Sequence, residues 1–174
     1  MARAFHALPD GGIGVAFEDD ERRFLIALID DFLTLLDPGP SDDPLGLGIM
    51  EDAERSPDAV LARLLPDAHA DDAAAAAEFR RLTEHDLRRH KASALAAVRT
   101  ALAESGDLVL EPATVDAWMT GLNDLRLAVG TRMGLGVDDG ATTAPALEPL
   151  YDWLTWLQGA LIDAVTGDAD TLTT

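Results

Sequence analysis

Cysteine is absent from this 174-residue chain. Disulfides, thiolate catalysis and thiol redox sensing all require cysteine, so all three are excluded within the chain. Histidine is scarce, and His85 and His90 lie five positions apart. On one helix that spacing turns the two rings about 140° from each other. This spacing does not suit a metal clamp, and no HExxH motif exists. We therefore expect no metal site.

Other catalytic signatures are missing as well. The sequence has no glycine-rich phosphate loop after a strand and no GxSxG elbow. None of its serines has a recognisable base nearby; these serines are Ser41, Ser56, Ser93 and Ser105. We therefore predict no catalytic residue, no cofactor and no enzymatic activity.

Positive charge and long apolar runs are also scarce. Lysine and arginine together number 13 against 32 acidic residues, which gives a formal net charge of −19. Nucleic acid binding requires a positive surface, so direct binding to nucleic acid is not expected. No run approaches the ~20 apolar residues that span a bilayer, and residues 1–12 lack the apolar core of a signal peptide. These absences predict a cytoplasmic protein with no membrane partner.

The residues that are present favour helix. Hydrophobic residues make up 48% of the chain, alanine is abundant and β-branched residues are few. The turn sequence "PDGG" within residues 3–17 predicts a hairpin, and helical periodicity begins near Glu18, after Asp71 or Asp72, and at Pro112. We predict a mainly α fold, a bundle of about four main helices with a small N-terminal β-hairpin. Residues 1–166 would form one domain and residues 167–174 an acidic flexible tail.

The longest predicted helix carries a basic stretch, "EFRRLTEHDLRRHK". Its four arginines are our candidates for a partner-binding surface, namely Arg80, Arg81, Arg88 and Arg89. The alternative is a solvated helix face, since Glu78 and Glu84 are spaced to pair with these arginines.

The helix after Pro112 raises a separate question, because Arg126 falls inside its apolar face, about 40° from Leu122. A buried arginine needs a carboxylate and further acceptors. Asp86 is the best candidate, since Phe79 and Leu82 predict that its part of the long helix turns inward. We predict a buried polar network of Asp86, Asn123, Arg126 and Arg132. The alternative is a ligand pocket at Arg126, in a small-anion-binding protein or an enzyme. Leu127 points away from Leu122, so this helix is central in the bundle or lies at an oligomer interface such as a homodimer's.

Three blocks of sequence carry a family resemblance. In order, "LARLLPDAHADDAAAAAEFRRLTEHDLRRHK", "WMTGLNDLRLAVGTRMG" and "LYDWLTWLQGAL" resemble the actinobacterial DUF2017 family over most of the chain. The positions that match the family pattern are Arg80, Arg81, Leu82, Thr83, Leu87, Arg88, Asn123, Asp124, Arg126, Gly130, Arg132, Tyr151, Trp153 and Gln158.

The resemblance implies a non-enzymatic regulator that acts by protein contacts. The family is linked with AosR-like oxidative-stress regulators, described as acting through a sigma factor and an internal thiol pair. The resemblance therefore implies a sigma factor as partner, although a chain without cysteine cannot form the thiol pair. The family's genes also tend to lie near the adaptor of the Clp protease, so the alternative is an accessory factor for Clp-type proteolysis.

Overall fold

The computed structural model describes residues 5–37, 58–66, 68, 71–104, 106–135 and 144–171, with no side-chain description beyond residue 167. In chain order the elements are β1 (His6–Ala7), β2 (Ile13–Val15), α1 (Asp19–Leu36), α2 (Ala59–Leu64), α3 (Ala73–Ala103), β3 (Leu108–Leu110), α4 (Pro112–Arg132), a 3₁₀ turn (Pro145–Leu147) and α5 (Glu148–Thr171). The predicted mainly α fold is confirmed. Ser41, Ser56 and Ser105 lie outside the described residues.

The predicted hairpin is present, but it is part of a larger sheet. β1, β2 and β3 form an antiparallel sheet in that order, with Ile13 opposite Leu110. The turn between β1 and β2 uses Gly11 at a φ of 83°, a conformation that glycine adopts without strain. Because two strands alone are marginally stable, β3 supplies pairing that the hairpin lacks. β3 was not predicted from the sequence.

The helices begin where the sequence places their capping residues. Glu18 and Glu21 form a capping box at the start of α1. The Asp72 side chain accepts hydrogen bonds from two backbone N–H groups of the first turn of α3. Pro112 occupies the first turn of α4, where its missing N–H costs nothing. These three starts agree with the predicted ones.

α4 is the central helix of the bundle, which is one of the two positions predicted for it from the sequence. It packs against α2, α3 and α5, and it buries Trp118, Leu122 and Leu125 almost completely. Trp118 also contacts the sheet region: its ring stacks on Phe17 at a centroid distance of 6.2 Å and meets Phe5 edge-on at 6.1 Å. This aromatic cluster therefore joins the sheet to α4, and β1 also packs against α5. Within the described ranges, no helix combines the length and apolarity needed to cross a membrane.

Candidate functional site

The structure divides the four predicted partner-binding arginines. Arg88 is buried, and its Nε and Nη2 donate to Oε1 of Glu84 at 2.9 and 2.6 Å. Its Nη1 also donates to the backbone oxygen of Leu36 at 3.4 Å, at the end of α1. Arg88 is therefore enclosed where α1 packs against α3, and its assignment to a partner surface is wrong. The Glu84 carboxylate, also buried, compensates its charge.

Arg81 and Arg89 remain accessible. Arg81 donates from Nε and Nη2 to the two carboxylate oxygens of Glu78 at 3.0 and 2.8 Å, and these hydrogen bonds hold the pKa of Glu78 below its ordinary value. Arg89 donates to Asp86 at 2.9 Å, and the side chains of this pair are 72% and 69% exposed. Arg80 is half-buried and has a partner of its own. The first half of α3 thus exposes two ion pairs rather than an unbroken basic strip.

Two large apolar side chains lie among these ion pairs. Phe79 is 37% exposed and Leu82 is 51% exposed. The expectation that this part of α3 turns them inward is therefore wrong. Leu82 and Arg89 are seven residues apart, which places them within about 20° of each other around the helix. Phe79, Leu82 and Arg89 lie within about 80° of one another around the helix and form one surface, which we call the α3 face. Arg81 lies about 160° from Phe79 and belongs to another side of α3.

Asp86 does not pair with Arg126. It lies on the exposed side of α3 with Arg89, and among the described residues no carboxylate pairs with Arg126. Asn123 is half-buried and Arg132 is exposed. The predicted network of Asp86, Asn123, Arg126 and Arg132 is therefore not formed, because Asp86 faces solvent and not α4.

A different ion pair joins α3 to α4. Nζ of Lys91 donates to both carboxylate oxygens of Asp124, at 2.9 and 3.0 Å, and the side chains are 18% and 2% exposed. Asp124 was not among the residues predicted for the network. In the structure Asp124 lies three residues after Gly121 and four before Ala128, and both neighbours are buried. Asp124 therefore belongs to the face that α4 buries.

Two further arginines tie α1 to the end of α3. Arg22 donates to the backbone oxygens of Leu102, at 3.4 Å, and of Glu104, at 2.6 Å, and also to that of Gly106. Arg99 of α3 donates to the two carboxylate oxygens of Asp30, nearer the middle of α1, at 2.5 and 3.1 Å. These hydrogen bonds lower the pKa of Asp30. These contacts are structural: each fixes one helix against another.

Arg126 lies in a pocket. Its Nε is buried and has no hydrogen-bond acceptor among the described residues. The pocket has a volume of about 160 Å³ and is also lined by Arg63 and Tyr151. Gly130 allows the Tyr151 ring to approach, because a Cβ at position 130 would lie only 3.1 Å from Cε2 of that ring. Of the predicted network residues, Arg126 lines this pocket.

Comparison with known proteins agrees with the resemblance of the three sequence blocks. Residues 2–165 match the family model described as "Domain of unknown function (DUF2017)". The chain is 34% identical over 165 residues to a Mycobacterium leprae (strain TN) protein named "Putative oxidative stress regulator AosR", and the match covers 79% of this chain and 75% of that protein. No solved structure matches. The chain belongs to the DUF2017 family.

Proposed function

We propose that this chain is a non-enzymatic regulator that acts by binding another protein through the α3 face. The observation that carries the proposal is the exposure of Leu82 and Phe79, at 51% and 37%, beside the accessible Arg89 on one helix. The similarity to a protein named as an oxidative stress regulator supports a regulatory role.

The α3 face has the composition of a protein-binding site. Leu82 and Phe79 offer apolar area that a groove on a partner removes from water, as amphipathic helices do when they bind in grooves. Arginine is enriched at the energetically dominant positions of interfaces. Of the five N–H donors of a guanidinium, Arg89 uses one on Asp86, so it keeps donors for an acidic partner.

The partner we favour is a sigma factor. The DUF2017 resemblance implies one, and the net charge of −19 favours action at DNA through a protein over direct contact with it. A chain without cysteine has no thiol switch of its own, so regulation would depend on the amount of protein or on the partner. The alternative partner is a component of the Clp protease.

The experiment measures binding of the purified chain to purified sigma factors and to Clp components of the source bacterium by biolayer interferometry. The variants are Leu82→Asp and Arg89→Glu. Arg23→Glu is the matched control, because Arg23 pairs with Asp20 three residues away on α1. The side chains of Arg23 and Asp20 are 77% and 87% exposed, so this arginine is as accessible as Arg89. We expect both α3 variants to bind about tenfold or more weakly, since central interface residues contribute 2 kcal/mol or more.

The control should bind as the wild type does. Binding to a sigma factor alone identifies a transcription regulator, and binding to a Clp component alone identifies the proteolytic role. If all three variants bind a partner equally well, the α3 face is not the binding surface.

A further inference from the structure

In the described part of this acidic chain, most basic side chains have an interaction partner. Of its 13 basic residues, Arg3 and Arg55 lie outside the described part. Nine of the others have an interaction partner; these are Arg22, Arg23, Arg80, Arg81, Arg88, Arg89, Lys91, Arg99 and Arg132. The remaining two, Arg63 and Arg126, have no acceptor among the described residues, and both line the same pocket.

This coincidence has an energetic consequence. Two guanidinium groups in one pocket repel each other, and removing the Arg126 Nε–H from water without an acceptor costs free energy comparable to a lost hydrogen bond. Arg63 lies in the last turn of α2, where the helix dipole favours a cation. Arg126 lies nearly two turns before the end of α4, so the helix dipole does not explain why a cation lies at this position. An anion between the two groups removes both costs.

The other walls of the pocket are mainly apolar. Leu127, Leu135 and the Tyr151 ring line it, together with Thr131. Its volume of about 160 Å³ is close to the ~150 Å³ of a cavity that holds a benzene ring. The backbone oxygens of Gly130 and Thr131 at the end of α4 accept hydrogen bonds from Leu135 and Gly134, so these carbonyls are already satisfied.

We propose that this pocket binds a small organic anion. Its oxyanion group pairs with the guanidinium groups of Arg126 and Arg63, and its compact apolar part lies against Leu127, Leu135 and Tyr151. Nε of Arg126 donates one hydrogen bond to the oxyanion, and guanidinium groups bind carboxylate and phosphate oxygens with the same fork of donors. The site is formed by α2, α4 and α5 and does not involve the α3 face, so it is independent of the proposed protein partner.

The test follows the Nε–H resonance of Arg126 by NMR during titration of the full chain with benzoate, acetate or inorganic phosphate at constant ionic strength. We expect a saturable shift of this resonance. Stronger binding of benzoate than of acetate or phosphate identifies an organic carboxylate as the ligand class, and stronger binding of phosphate identifies a phosphorylated ligand.

Affinities of the variants are measured by calorimetry with the best of the three probes. Arg126→Gln should weaken binding about tenfold or more, because a charge-assisted hydrogen bond is lost. Arg63→Gln, which changes an exposed side chain and leaves the core intact, should weaken it severalfold, and Arg23→Gln on α1 should leave it unchanged. The proposal is overturned if no probe gives a saturable shift up to about 10 mM, or if Arg63→Gln and Arg23→Gln behave alike.

Discussion

The ion pair between Lys91 and Asp124 gives the sharpest test of how α3 is held on α4. The change Lys91→Met keeps most of the aliphatic stem and removes the ammonium group. Both oxygens of Asp124 then lose their donor, at a side chain that is 2% exposed. Removing one partner of a buried pair costs about 3–5 kcal/mol.

That cost is large for a protein of this size. Stabilities of single domains are about 5–15 kcal/mol, and each kcal/mol corresponds to roughly 2–4 °C of Tm at 150–250 residues. We therefore expect Lys91→Met to lower Tm by roughly 6–20 °C. Calorimetry gives the Tm and urea titration gives the free energy of unfolding.

A double-mutant cycle separates the pair from its surroundings. The double variant Lys91→Met with Asp124→Leu removes both charges, and it should recover most of the stability lost by the single change, since apolar replacements of buried pairs are often neutral. Arg23→Met removes an arginine from an exposed pair and should cost less than about 1 kcal/mol. The reasoning is refuted if Lys91→Met costs no more than Arg23→Met, or if the two changes of the cycle are additive.

Three further predictions address other contacts. Arg88→Met should lower the free energy of unfolding by about 3 kcal/mol, because it leaves a buried carboxylate unpaired. Arg89→Met should change the free energy of unfolding by less than about 1 kcal/mol. Equal urea midpoints for these two variants would contradict the burial of Arg88. Arg99 lowers the pKa of Asp30, so this carboxylate contributes stability above the ordinary carboxyl pKa of about 4. That stability is lost as the pH falls through the lowered pKa of Asp30, so Asp30→Asn should flatten the decline of Tm in acid. Parallel Tm–pH curves for the wild type and the variant would oppose this. Trp118→Ala should cost about 3–5 kcal/mol and remove most of the near-ultraviolet circular dichroism of the aromatic cluster; an unchanged spectrum would show that this cluster is not as described.

Local signals accounted for much of the fold. The acidic residues near Glu18, the aspartate at position 72 and the proline at position 112 marked helix starts correctly, because caps act within one turn. β3 was missed because it has only three residues, and its pairing with β2 depends on contacts nearly a hundred residues away in sequence. A short segment of this kind has no periodicity that distinguishes it from the start of a helix.

The polar sites were harder to predict for a related reason. Apolar spacing placed Phe79 and Leu82 on an inward stripe, but both side chains remain exposed, at 37% and 51%. Asp86 was therefore assigned to Arg126, while the carboxylate that α4 itself buries is Asp124. Which side of a long helix is covered depends on where its neighbours end, and the helical wheel of a single segment does not contain that information.

The proposed function is tested most directly by site-specific photo-cross-linking in cells of the source bacterium. A photoreactive phenylalanine analogue replaces Leu82 on the α3 face or, as the control, Ala96, an exposed residue four turns further along the same helix. We expect position 82 to give a cross-link to a sigma factor or a Clp component, identified by mass spectrometry, and position 96 to give none. Equal cross-linking from both positions, or none from position 82 to either class of protein, would show that the α3 face does not bind these partners.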